Sequence, residues 1–486
     1  VVAAGVEALP VHSQVRREEA LMRRWIVLAI IGVALAILAL GVAAVVVVVH
    51  YAPEPGRIYA ATGAVEVLQG TPQTAGSHWA CRCRDDNVEF VVLDGERQAF
   101  HPDVYALTFS EDGKRFAYTA RAARKWRVVL DGHEQTVYDS VKELTFNKDG
   151  KRFAYVARSK GKSFLVLDGA EQKPYEWVGE PVFSPDGERL AYTAYSDGKV
   201  FAVLNGVEQK RYDSVWAAAF SPDGKRFVYG AMSKGKWLIV LDGKEGKAYD
   251  SIGEPVFSAN SKRLAYKVML GPDWLVVLDG QEQTAYDEVG QPIFSEDGGR
   301  VAYWTHCGNK ECFVVDGVQQ KAYDRVSSFV FSPKGGRFAY LGGSGLLWHA
   351  VIDDAEQKGY DGVYEPTFSP DGKRFAYIAE SGDDLFLVLD GKKQEGYWKV
   401  LWPTFSKDST RCAYVACSRD GEFVVVDGKE QRLMDEVCLL RAEDADSFVW
   451  YGWTGELHKE PGHYYDNDKA PAWWQPGSEL YRFTVP

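Results

Sequence analysis

Phe109, Phe146, Phe183, Phe220, Phe257, Phe294, Phe331, Phe368 and Phe405 stand 37 residues apart with no insertion between them. A chain that returns to one residue type at so fixed an interval builds one small unit many times, because a unit this short cannot bury a core alone. Two further series keep the same step. Asp94, Asp131, Asp168, Asn205, Asp242, Asp279, Asp316, Asp353, Asp390 and Asp427 sit mostly in V-(L/V)-D-G strings, and tyrosines recur from Tyr138 to Tyr397. The unit that starts at Glu254 reads E-P-V-F-S, a turn, K-R-L-A-Y-K-V, a second turn, W-L-V-V-L-D-G, then E-Q-T-A-Y-D. Short runs of Val, Phe, Tyr and Leu bounded by Asp-Gly, Gly-Lys or Pro predict four antiparallel strands per unit. The S-P-D-G string at Ser221 places Pro where φ is already near −65° and Gly where φ can turn positive.

Strand twist accumulates, so some forty strands cannot lie in one open sheet. Radial repetition solves this: each unit forms one blade that packs on its neighbours. The string F-S-P-D-G-K-R-F-A-Y at Phe368 to Tyr377 resembles the repeat of the TolB-type, WD-repeat-like β-propellers. The likeness runs from about Arg57 to Val485 and implies an all-β, many-bladed propeller of four-stranded blades. It implies nothing firm about function, since propellers of this kind serve as scaffolds, partner-binding modules and enzyme appendages. TolB itself has six blades, an additional N-terminal domain and no anchor, so its role is not carried over.

Worn copies at Gly76 and Trp79 and at Val449 to Tyr451 extend the repeat to eleven registers, with ten blades as the close alternative. Leu480 to Val485 is expected to give the last copy its third strand, and Arg57 to Thr62 its fourth, closing the ring with both chain ends. Eleven sheets packed ~10 Å apart would enclose a tunnel of about 25–30 Å. An open superhelix is the alternative to a closed ring.

Trp25 to Val49 holds 25 residues without a charge, about 37 Å as a helix, which spans a bilayer core. Arg16, Arg17, Arg23 and Arg24 precede it and no Lys or Arg follows at once, placing the N-terminus in the cytoplasm. The expected organisation is a cytoplasmic segment (1–24), a transmembrane helix (25–49), a linker (50–56) and a propeller (57–486) with an irregular insertion at 457–477, outside the cytoplasm and attached to the membrane. A cleaved signal peptide is the alternative, though its apolar stretch is usually shorter.

The 56 Lys plus Arg against 68 Asp plus Glu leave a formal charge of −12 with no basic stripe, which argues against a nucleic-acid partner. Residues that recur in every unit are architecture first, and Asp242 is expected to bond its own turn backbone. Candidate binding residues are those that vary. Trp177, Trp216, Trp398 and Trp402 lie where the chain enters the innermost strand, as hot-spot aromatics or as caps on the blade interfaces. Glu143, Glu180, Glu254 and Glu365, with Gln291 in the same register, are expected at the start of that strand, rimming the tunnel mouth and favouring basic partners, unless they are only a solvated rim.

Cys307 and Cys312 flank a G-N-K-E loop and form a disulfide candidate; Cys81, Cys83, Cys412, Cys417 and Cys438 cluster near the two ends, where bridges would reinforce closure. No metal or cofactor motif and no P-loop, nucleophile elbow or H-E-x-x-H is present. The expected function is a membrane-anchored binding or scaffold module for a protein, peptide or glycan. The alternative is a polysaccharide hydrolase or lyase with carboxylates at the tunnel mouth.

Overall fold

A computed structural model describes residues 57–60, 63–67, 73–75, 78–85, 88–99, 101–431, 434, 436–442, 447–454 and 479–485. The segments 1–24, 25–49 and 50–56 and the insertion 457–477 lie outside the described residues, and with them the expected membrane helix. Among the described residues no helix is long and apolar enough to cross a membrane; every regular element there is a β-strand.

The strands form eleven antiparallel sheets in chain order, numbered here 1 to 11. Sheet 3 is typical, with strands Ser140–Phe146, Phe153–Ser159, Lys162–Leu167 and Ala170–Glu171 each paired to the next. The two middle strands are apolar on both faces because both faces are covered; Phe153 to Ala157 are all buried. The chain divides into two compact units, residues 1–220 and 221–486, and each is described by itself.

Within each unit, successive sheets pack face to face. In the second, Leu341 and Ala350 of sheet 8 (325–356) share one cluster with Val363, Phe375, Tyr377 and Phe386 of sheet 9 (362–397). Burying an aromatic of this size contributes roughly 1.5–3 kcal/mol. The same contact recurs between sheet 9 and sheet 10 (399–430), and in the first unit between sheet 3 and sheet 4 (177–208).

The recurring polar residues are the joints of this stack. In the turn at Ser369, the buried hydroxyl donates to Asp371 (2.7 Å) and accepts from the Arg374 amide (3.0 Å), while Gly372 takes φ +74°. Asp390 then accepts from the Phe375 amide (3.0 Å) and from Arg374 Nε (2.9 Å). The same guanidinium donates through Nη1 to the Thr410 carbonyl of the next sheet (2.7 Å) and lies 5.4 Å from the Phe405 ring. This corrects the expectation for Asp242. Its carboxylate accepts from the Phe227 amide (2.8 Å) and Arg226 Nε on the second strand, not from its own turn, because φ of +51° swings the side chain back across the sheet. At no fewer than five joints a tyrosine also clasps the next sheet, as Tyr323 donating to Glu356 (2.7 Å).

Both chain termini depart from the pattern. Glu479–Val485 is the third strand of sheet 11, paired with Phe448–Thr454. Arg57–Ala60 does not complete that sheet. It pairs with Gly63–Val67 in sheet 1, Ala60 against Gly63, a hairpin closed over a far shorter loop than pairing with the other chain end requires. Cys307 and Cys312 are joined, although they are diagonal rather than opposite, since Cys312 faces Thr305. Cys81, Cys83, Cys412 and Cys417 are free and buried, so the expected bridges among them do not form.

Candidate functional site

The first strands of neighbouring sheets approach one another, Arg325–Phe331 against Gly362–Phe368 and the latter against Lys399–Phe405. They form an edge at which neighbouring sheets converge. Each carries a β-bulge, seen as register shifts between Lys142 and Thr145, Ser327 and Val330, Tyr364 and Thr367, and Leu401 and Thr404. The extra residue sits in the left-handed region, at φ +56° in Glu143, +49° in Glu365 and +54° in Trp402. A bulge re-aims the side chain it carries.

Glu143, Glu180, Glu254, Gln291 and Glu365 occupy this register. Glu143 and Glu365 lie in the middle of the first strand rather than at its start, since pairing has begun three residues earlier, Ser140 against Arg158 and Gly362 against Glu380; Glu180 and Glu254 fall between two short strands, and Gln291 two residues before Ile293–Phe294. In the first unit, Glu143 and Glu180 are exposed on separate sheets; Trp177 opens its strand, with Lys142 Nζ 5.6 Å from its ring, and Trp216 is half-buried. In the second unit two links join neighbouring members of the series. Gln291 Nε2 donates to the Glu254 carbonyl (2.6 Å), and Glu365 Oε2 accepts from the Trp402 amide (2.9 Å). Trp402 packs on the core of sheets 10 and 11, as an interface cap. Trp398 is 71% exposed.

Glu365 lies on the wall of a cavity of about 600 Å³ between sheets 8, 9 and 10. Leu341, Trp348, Ile378, Leu385 and Leu401 give it an apolar lining, and Lys399 a cation. The Glu365 side chain touches water yet has protein on most sides. Lost hydration raises its carboxyl above the ordinary range, and the Trp402 amide only partly offsets this. Tyr364 donates to Glu380 (2.7 Å) over Gly362, where a Cβ would come within 2.4 Å of the Tyr364 hydroxyl. Glycine here leaves the mouth open.

The exposed rim around this cavity was not singled out by the sequence reading, which named only Trp398, Trp402 and Glu365 of its residues. Leu346 is 91% exposed, and Leu347 and Tyr364 are nearly half exposed. A signal existed. In four repeats the first residue of the third strand is a lysine paired with the acid fourteen residues on: Lys125 with Asp139, Lys199 with Asp213, Lys236 with Asp250, and Lys310 with Asp324 at 3.4 Å. In sheet 8 the lysine is replaced by Leu347, opposite Asp361. In sheet 9 both partners change, to Asp384 and Trp398. Elsewhere the acid also accepts from the adjoining turn, as Asp361 does from the Gly382 amide (2.8 Å). With Trp398 in that place, the Ser418–Gly421 turn is closed on itself by Ser418.

Antiparallel four-stranded sheets that follow one another in the chain and pack face to face are built like the blades of a β-propeller. No protein-family model matches the sequence, and no curated protein matches it. Distant structural matches are β-propeller proteins. TolB from Acinetobacter baumannii is 23% identical over 42% of this chain and 62% of its own, with a TM-score of 0.22. The Dos1 propeller is 11% identical over 59% of this chain and 92% of its own, with a TM-score of 0.28. The β-propeller domain of Myceliophteria thermophila Cps50 (Swd1) is 14% identical over 49% and 92%, with a TM-score of 0.24. The match to TolB thus spans less than two thirds of that protein.

Proposed function

We propose that this chain is a membrane-tethered, extracytoplasmic docking module that holds a protein or peptide segment at the convergent edge of sheets 8 to 10. We assign it no reaction of its own. The observation that carries the reading is the coincidence of an apolar cavity with two adjacent sheets, 8 and 9, that both lack the lysine–acid pair and expose Leu346, Leu347, Tyr364 and Trp398. Four large apolar side chains exposed around one opening favour a partner over bare solvent. The predominance of apolar over polar surface in the lining favours a peptide side chain over a glycan. Tethering rests on Trp25 to Val49 and the arginines before it, and closure of the eleven repeats into a ring on their unbroken 37-residue step.

A photoreactive residue placed at position 364 or 398 of the full chain in membranes is expected to crosslink a discrete protein. The same residue at position 213, the register of Trp398 in the first unit, is expected not to. Equal labelling from all three positions overturns the docking site. Release of the full chain by alkaline carbonate overturns the tether, and an elongated particle in small-angle scattering overturns the ring.

A further inference from the structure

Resting on that docking reading, we infer that the partner presents a cationic segment: an apolar anchor side chain for the cavity, flanked by Lys or Arg. The argument is charge complementarity. The cavity end of sheet 9 carries Asp361, Glu365, Glu380, Asp383 and Asp384 and neither Lys nor Arg. In four other repeats a lysine at the start of the third strand pairs with the equivalent acid; here Leu347 leaves Asp361 without that lysine, and sheet 9, like sheet 6 with Asp273, carries an acid, Asp384, in that place. Asp383 and Asp384 are exposed beside the turn, and Glu380 and Glu365 stand behind them at the opening. Of the cations close by, Lys399 of sheet 10 lines the cavity itself, and Arg325 and Arg419 belong to sheets 8 and 10 outside its lining.

The apolar part is equally specific in place. Trp348 and Tyr360 exchange backbone hydrogen bonds (2.8 and 3.0 Å), which sets Leu347 beside Asp361, and Leu385 pairs with Tyr397, which sets Asp384 beside Trp398. Leu347 and Trp398 therefore each stand next to a carboxylate. A guanidinium over the Trp398 face, with Asp384 beside it, gains from both the ring and the charge. A carboxylate ligand at the same spot meets five like charges. A neutral apolar ligand would leave the acids to water and gain nothing from them.

The test uses the full chain in detergent and a fluorescein-labelled peptide with a central Leu-Trp pair flanked on each side by two Arg. Comparison peptides carry Glu in place of Arg, or Ala-Ala in place of Leu-Trp. Two variants restore the lysine–acid pattern of four other repeats and so keep a surface the fold already tolerates: Leu347→Lys, and Asp384→Lys combined with Trp398→Asp. Lys199→Leu, the same register in sheet 4, is the control. The Arg-flanked Leu-Trp peptide is expected to bind, with about tenfold or more loss in each restored variant, none in the control, and weakening as salt shortens the Debye length from about 10 Å toward 3 Å. Equal binding of the Glu-flanked peptide, lost in the same variants, overturns the cationic partner while the docking site stands. Undiminished binding of the Arg-flanked peptide by variants that melt like the parent places it elsewhere and overturns the inference, as does failure of the parent chain to bind it. Crosslinking at 364 and 398 reads the docking site independently of either result.

Discussion

Asp279 shows how a single side chain holds a sheet: one oxygen accepts from the Leu264 amide (2.9 Å) and the other from Arg263 Nε (2.9 Å), while the backbone takes φ +52°. Asp279→Ala removes both acceptors and puts a β-carbon with no compensating bond in the left-handed region. We expect a loss of about 1–3 kcal/mol in thermal or urea unfolding. Asp279→Asn keeps the bond to the amide, as Asn205 does naturally for Leu190 (2.8 Å), and is expected to lose clearly less. The turn carboxylates make a second prediction. The Ser110 hydroxyl, then Lys114, hold Asp112 down to about 2, and the Ser369 hydroxyl, then the Lys373 amide, hold Asp371 down to about 2. Because the folded values lie below the ordinary aspartate value, the stabilisation is fully present above pH ~4 and is lost as pH falls from there toward 2. Melting temperature should therefore drop across that window, and less steeply in a chain carrying Ser110→Ala and Ser369→Ala.

At the scale of the element, the joint between sheets is an arginine reaching forward. Arg337 pairs with Asp353 in its own sheet (2.7 Å), donates to the carbonyls of Gly372 (3.3 Å) and Lys373 (3.1 Å) in the next, and lies 5.3 Å from the Phe368 ring. Lysine cannot make the two-sided fork, so Arg337→Lys is expected to cost about 1–2 kcal/mol, discounted for the partial exposure of the pair. Strands and turns were legible beforehand because Phe, Tyr and Asp-Gly recur at a period that fixes where each strand ends. The bulge was not. Nothing in Y-D-S-V-K-E-L marks Glu143 as an inserted residue, because its left-handed φ comes from a register shift that depends on the partner strand Phe153–Ser159. The end of the chain misled for a related reason: Arg57–Ala60 looks like a fourth strand, but a neighbour six residues away competed successfully for its hydrogen bonds. The candidate site was half legible. Trp398 stood out as a tryptophan, whereas Leu347 and Asp384 are conspicuous only when compared with the lysines of the other copies.

For the molecule as a whole, joints between nearest neighbours predict that damage stays local. In hydrogen exchange of Arg337→Ala, faster exchange is expected in sheets 8 and 9 and parental rates in sheets 2 and 3; a uniform rise along the chain would contradict joint-by-joint stability. Buried thiols give a further check, since burial pushes Cys412 up to about 12 and Cys417, beside Glu422, also to about 12. Both should resist maleimide in the native protein and label only on unfolding, as peptide mapping would show. The arginine joint, meanwhile, is indifferent to what stands at the lysine–acid positions, which lie at the other end of the strands. Under the docking role proposed above, structural inheritance and molecular recognition would be written in separate columns of the same duplicated text, and a few codon changes could relocate the adhesive face to another copy, or erase it, with the masonry left intact.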